Sequence, residues 1–169
     1  ELLVGESFHP GGLEGTRQLL RASALEPGAR LLDIGCGLGA SARVAASEFG
    51  LQVEAVDPSA AMIERAKARA DSTRVRWSVA GLPALGFRDA SFDAVLSECV
   101  LSTVDRPAAL TDIARVLRPG GKLLISDVEA DGVAIPALGH RIVGTALCID
   151  DAWRPGELDR LLPSVGFRI

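Results

Sequence analysis

The sequence predicts an α/β fold: a three-layer αβα sandwich whose doubly wound, mostly parallel sheet lies between two layers of helices. Three observations in its 169 residues carry that expectation. Short β-rich runs alternate with stretches whose apolar residues recur at helical spacing, the rhythm of right-handed βαβ units. One run, Leu31-Leu32-Asp33-Ile34, passes directly into glycines at alternate positions, Gly35, Gly37 and Gly39, and then into an Ala-rich helix former, which is strand, tight turn and helix. A second run, Leu51 to Val56, finishes on Asp57-Pro58-Ser59, so an acid stands at the carboxyl end of a neighbouring strand.

Residues 5–12, Gly-Glu-Ser-Phe-His-Pro-Gly-Gly, hold too much glycine and proline for regular structure and make a flexible leading segment. Leu13, Thr16, Leu19, Leu20 and Ala24 then recur at helical spacing until Glu26-Pro27-Gly28, so residues 1–24 read as leading segment plus helix. Arg30 to Ile34 is the first strand, and the helix from Ala40 to Phe49 stops at Gly50. Ser59 caps a helix whose apolar face is Met62, Ile63, Ala66 and Ala70. Val75 to Val79 is the third strand and Phe92 to Ser97 the fourth, with an irregular Gly/Pro loop between them. Asp105-Arg106-Pro107 starts a helix with its proline in the first turn, and Leu110, Ile113, Ala114 and Leu117 form its buried stripe. Arg118-Pro119-Gly120-Gly121 ends that helix, and Lys122 to Asp127 is the fifth strand. Residues 130–153 depart from the βα rhythm, and Gly156 to Ile169 reads as a helix leading into a strand. Sheets of this kind bind ligands at the carboxyl ends of their strands, here Ile34-Gly35, Val56-Asp57, the loop after Val79, Ser97-Glu98-Cys99 and Asp127-Val128.

A composition of 48% hydrophobic and 24% charged residues fits one domain spanning 1–169 that buries roughly 70% of its unfolded surface. No apolar run approaches the ~20 residues of a membrane span, and Glu1-Leu2-Leu3-Val4 lacks a basic start, so the reading is a cytoplasmic protein with no membrane partner. Net charge −4 argues against nucleic acid, which needs a concentrated basic surface. Arg65, Lys67, Arg69, Arg74 and Arg76 are interleaved with Glu64 and Asp71 and read as a solvated face. Cys36, Cys99 and Cys148 are odd in number and far apart, which supports neither a disulfide framework nor a metal site.

The glycine turn alone fits two templates, GxGxG and, with Ala40, the GxGxxA form of the dinucleotide fingerprint. Asp57 fits either, since an acid about 20 residues on takes ribose hydroxyls of NAD or of another adenosine cofactor. A plain turn and cap is its structural alternative. Asp33 discriminates. A carboxylate beside the turn repels a pyrophosphate and attracts a ligand bearing an ammonium and a sulfonium.

With these residues in view, the chain resembles the class I, Rossmann-like S-adenosylmethionine-dependent methyltransferases of small-molecule type, from about Thr16 to Phe167. The likeness is carried by Leu31 to Gly39, Val56-Asp57-Pro58-Ser59 with Met62, Asp89-Ala90-Ser91-Phe92-Asp93, and Val116-Leu117-Arg118-Pro119-Gly120-Gly121-Lys122-Leu123. It implies transfer of a methyl group from S-adenosyl-L-methionine to a small-molecule acceptor, leaving S-adenosyl-L-homocysteine. Asp33, Gly35, Cys36, Gly37 and Gly39 would face the methionine and ribose part, Asp57 the ribose hydroxyls, and Pro58, Met62, Gly81 and Leu82 the adenine. Glu98 would join them from the fourth strand. The adenine-contacting acid usual after the third strand is missing from Ala80 to Phe87, which leaves backbone groups and Leu82 for that task. The family's sheet ends on a sixth and a seventh strand, so the C-terminal strands read as missing or truncated.

Displacement at a sulfonium needs a positioned nucleophile and excluded water, and a hard nucleophile also needs a base. Glu98 and His140 are the catalytic candidates, with His9 a third. A solvated or helix-capping glutamate and ordinary surface histidines are the alternatives. Leu101-Ser102-Thr103 stands where many relatives carry an aromatic or histidine pair. Phe8 to Gly12 together with Ser97 to Ser102 looks like a bacterial subgroup associated with redox or metalloid contexts, and Cys99 with Cys148 would suit a soft acceptor such as arsenite. Cys36 reads as a small buried residue. No resident metal is expected. The apolar 130–153 segment would cover the acceptor or form a homodimer surface. The competing functions are a non-catalytic regulatory or scaffold module of the same fold and an NAD-dependent oxidoreductase.

Overall fold

A computed structural model describes residues 11–69, 74–130 and 152–168. Its sheet has five strands in the order β3-β2-β1-β4-β5: β1 Arg30–Ile34, β2 Gln52–Asp57, β3 Val75–Val79, β4 Phe92–Glu98 and β5 Leu117–Ser126. Every pairing among them is parallel. The helices are α1 Gly12–Ser23, α2 Ala40–Glu48, α3 Ala60–Ala68, α4 Arg106–Val116 and α5 Glu157–Ser164, with a 3₁₀ turn at Leu101–Thr103. From β1 the chain winds outward through β2 to β3, then returns to place β4 on the other side of β1. That reversal opens a crevice at the carboxyl ends of β1 and β4.

Period-2 alternation sends successive strand residues to opposite faces, and each face is a core. Leu31, Val53, Ala55, Ala94 and Leu96 meet Leu20 of α1 and Ala42 and Ala45 of α2. Leu32, Ile34, Val56 and Val95 meet Leu110 and Ile113 of α4, with Phe92 and Trp153 in the same cluster. Capping sets two helix starts as the sequence indicates. Ser59 Oγ accepts from Met62 N at 3.3 Å, and Asp105 Oδ1 accepts from Ala108 N at 2.9 Å.

Several sequence expectations are corrected. Arg118–Gly121 is not a turn between helix and strand. The fifth strand already begins at Leu117, which pairs with Phe92, and the next pair is Ala94 with Lys122, so the four intervening residues bulge out of the ladder. Asp93 fixes the bulge by accepting from the Arg118 guanidinium and, at 2.7 Å, from Arg30 N. Leu117 is buried as expected, but as a strand residue. Ala24 is not on the apolar stripe of α1: it is the left-handed C-cap and exposed, and Ser23 takes the buried place. Val165–Arg168 forms no strand. Its amides fold back on α5, with Phe167 N donating to Leu162 O at 3.0 Å. Ala70, Asp71, His9, His140, Cys148 and the leading segment up to Pro10 lie outside the described residues, as does most of 130–153.

Among the described residues, no helix is long and apolar enough to cross a membrane. The basic cluster has the expected character where it is described: Arg65, Lys67, Arg69, Arg74 and Arg76 are exposed, with Lys67 on Glu64 and Arg76 on Glu54.

Candidate functional site

Three strands end in acids, and parity puts all three on one face. Asp33 is two residues from Leu31, Asp57 two from Ala55 and Glu98 two from Leu96, so each continues the row of side chains that faces α1 and α2. Asp33 is 2% exposed, and its Oδ2 has no hydrogen-bond partner among the described residues. Burial pushes its carboxyl well above the usual carboxylate range, and the neighbouring Glu98 and Asp57 push the same way. The nearby Ala42 amide of the first turn of α2 opposes the shift. The residue preceding α2 is Gly39, which offers no side-chain cap, and the carboxyl of Asp33 lies beside that helix N-terminus.

Asp57 is both turn and bracket. Its Oδ1 accepts from Ser59 N at 2.8 Å, and its Oδ2 accepts from Gly37 N at 3.0 Å, which ties the glycine turn to β2. Cys36 N donates to Val56 O at 3.0 Å as a second tie. Glu98 is half-buried and is not a helix cap. Thr16 Oγ1 of α1 donates to its Oε1 at 2.9 Å and Ser41 Oγ of α2 donates to its Oε2 at 2.5 Å.

The glycines of the turn are required for a reason other than ligand approach alone. A Cβ on Gly35 would lie 2.4 Å from Val100 Cγ2, and one on Gly39 would lie 2.2 Å from the Trp77 ring, both at positive φ. The turn is therefore clamped between the loop after β4 and the middle of β3. Cys36 is partly buried, and burial followed by repulsion from Asp33 and Asp57 raises its thiol, so it stays protonated and is a poor metal ligand. Cys99 takes φ 55 directly after Glu98, and its amide donates to Ser126 O at 2.7 Å. Cys36 carries a free thiol, and no cluster of metal-ligating side chains occurs among the described residues.

The remaining candidates gather at the end of β2. Gly81 packs on Pro58, where an added Cβ would be 3.3 Å from Pro58 Cβ, and Met62 is partly buried on the first turn of α3. Leu82 is partly buried against the α4-side core. Beyond the ends of β4 and β5, Ser102 N donates to Asp127 Oδ2 at 3.0 Å and fixes the 3₁₀ turn. An open cavity of about 690 Å³ lies between that turn, the start of α4 and α5, lined by residues that include Ser102, Thr103, Asp105, Arg106, Glu157 and Arg160. Arg106 is held by Glu157 at 2.6 Å and stacks 4.3 Å from the centre of the Trp153 ring, so Trp153 is a buried anchor for it.

Sequence reasoning found the three acids but not Thr16, Ser41, Trp77 or Val100 as parts of the site. A hydroxyl on the buried stripe of α1 was the available signal for Thr16.

The methyltransferase domain family matches residues 32–125. Phosphoethanolamine N-methyltransferase 1 of Arabidopsis thaliana is 37% identical over 131 residues, which is 75% of this chain and 27% of that protein. O-methyltransferase resE of Aspergillus sclerotiorum is 38% identical over 159 residues, 91% of this chain and 60% of that protein. The solved structure of Haemonchus contortus phosphoethanolamine N-methyltransferase 2 in complex with S-adenosyl-L-methionine superposes with a TM-score of 0.82 at 32% identity, covering 94% of this chain and 38% of that one. The chain thus spans between about a quarter and three fifths of the length of these curated relatives. A glycine turn backed by an acid, five parallel strands in this order and a family match over more than half of the residues agree: the chain belongs to the methyltransferase domain family, in its class I, Rossmann-like fold.

Proposed function

We propose that the chain binds S-adenosylmethionine at the crevice between β1 and β4 and transfers its methyl group to a small-molecule acceptor. The observation that carries this is the state of the α2 N-terminus. In a dinucleotide site that end is left to a pyrophosphate, whereas here a buried carboxyl, that of Asp33, lies beside it with one oxygen unpartnered. A cationic group relieves that cost and a phosphate adds to it. The donor set fits the cofactor: Asp33 and Glu98 for the ammonium end, Asp57 for ribose hydroxyls, and Pro58, Met62, Gly81 and Leu82 for the adenine.

When bound, the cofactor supplies an electrophilic methyl on sulfur. The protein's part is to orient the donor, exclude water and hold the acceptor in line. Glu98 serves the donor rather than acting as the base, because both of its oxygens already accept hydroxyl hydrogens. The cavity beside the 3₁₀ turn has the volume of a small-molecule site and is the place for the acceptor. His140, which lies outside the described residues, is the remaining candidate base. The protonated thiol of Cys36 accords with action in the cytoplasm.

Calorimetric titration with S-adenosylhomocysteine and with NAD tests the cofactor. Binding of the first and not of the second is expected, and the reverse overturns the proposal. Turnover against phosphoethanolamine, thiols, arsenite and hydroxylated aromatics then identifies the acceptor class. Cofactor binding without turnover of any acceptor would favour the regulatory or scaffold module instead.

A further inference from the structure

Thr16 is fully buried on α1, on a stripe it shares with Leu20 and Ser23. A valine has the same shape and would fill that place without a hydroxyl to satisfy. The hydroxyl is not idle: it reaches across to β4 and donates to Glu98 Oε1 at 2.9 Å, with Oε2 at 3.3 Å. Ser41, 8% exposed in the first turn of α2, donates to Oε2 at 2.5 Å, and the two hydroxyl oxygens are 3.3 Å apart. Two helices thus direct a donor onto one carboxyl group. Asp33 projects from the same face of the neighbouring strand, and its buried Oδ2 has no hydrogen-bond partner among the described residues. Such a gathering of acids is unfavourable until a cation enters it.

We propose that Thr16 and Ser41 are positioning residues that aim Glu98, together with Asp33, at the ammonium group of the cofactor's amino-acid end. This rests on the cofactor reading given above and makes α1, which precedes the family match, part of the cofactor's seat. Thr16 acts through Glu98, and discrimination is for ligands that carry the amino group.

A double-mutant cycle read with S-adenosylhomocysteine as the probe tests it. Thr16→Val in the wild-type background is expected to weaken binding about tenfold, the loss of one hydrogen bond to a charged group. In a Glu98→Gln background the same change is expected to cost less than about twofold, because the group it positions is gone. Thr16→Ser restores the wild-type affinity. Binding of 5′-methylthioadenosine, which keeps the nucleoside and thioether but lacks the amino-acid end, is expected to be the same for wild type and Thr16→Val. Additive losses in the cycle, or equal losses for both ligands, overturn the inference, since a merely structural role would produce either. Ser41→Ala runs the same cycle on α2 should Thr16→Val fail to fold. Failure of the wild-type protein to bind S-adenosylhomocysteine overturns the cofactor reading itself, whereas wild-type binding with an additive cycle overturns only the role of the two hydroxyls.

Discussion

At the scale of single residues, Asp33 shows how a functional group costs stability. Its folded-state carboxyl is raised above the ordinary value, first by burial and then by Glu98 and Asp57. The folded protein therefore holds a proton that the unfolded chain gives up. The resulting stabilisation is fully present below the ordinary carboxylate range and is lost as pH rises through the raised value. Asp33→Asn keeps an acceptor for the Ala42 amide and removes the charge, so it is expected to raise Tm at pH 7 and to leave it unchanged near pH 3. Thermal melts across that interval check the sign. The same variant is expected to weaken S-adenosylhomocysteine binding by roughly 1–3 kcal/mol, and unchanged affinity would refute the role assigned to Asp33. The glycines offer a second residue-scale contrast. Gly39→Ala drives a Cβ to 2.2 Å from Trp77 at positive φ and is expected to cost roughly 2–4 kcal/mol in denaturant unfolding. Gly86→Ala has the same kind of backbone with nothing within 4 Å, so only the left-handed penalty of about 1–2 kcal/mol applies.

At the scale of elements, helix and strand were legible wherever local chemistry decided them. Ser59 and Asp105 caps, the glycine punctuation and the alternation of Val75 to Val79 are short-range signals, and β1, α2, α3 and β3 lie where those signals put them. The start of β5 was not legible, because Leu117 joins the sheet by pairing with Phe92, a partner far away in sequence. The tail of α5 failed for the converse reason. Val165 to Phe167 has a strand-like composition, but Phe167 has a core face against which to fold, and its amide caps α5. Packing overrode propensity in both cases. Asp112 of α4 belongs to this scale as well. It accepts from Leu85 N at 2.8 Å and from Arg115, and so pins the loop after β3 to the helix. Asp112→Ala strands a buried amide and is expected to cost about 1–3 kcal/mol, measurable by chemical denaturation.

At the scale of the whole molecule, the strand order is what makes a site. Reversal of winding at β1 leaves its carboxyl end beside that of β4, and Asp33 and Glu98 flank that crevice from adjacent strands. Anything that binds there stabilises the whole fold by mass action, so S-adenosylhomocysteine at 100 times its Kd is expected to add about 2.7 kcal/mol to unfolding while NAD adds none. A thermal shift titration distinguishes them. The sequence by itself determined the fold class, the glycine turn and the three acids, because alternation, glycine content and charge are properties of neighbouring residues. Only the tertiary structure decided that the acids share one face with Thr16 and Ser41, that Gly35 and Gly39 are closed off by Val100 and Trp77, and that Glu98 is engaged by hydroxyls. The contacts among Thr16, Ser41 and Glu98 join residues 25 to 82 positions apart, and a long-range contact leaves no periodic trace in the chain that makes it.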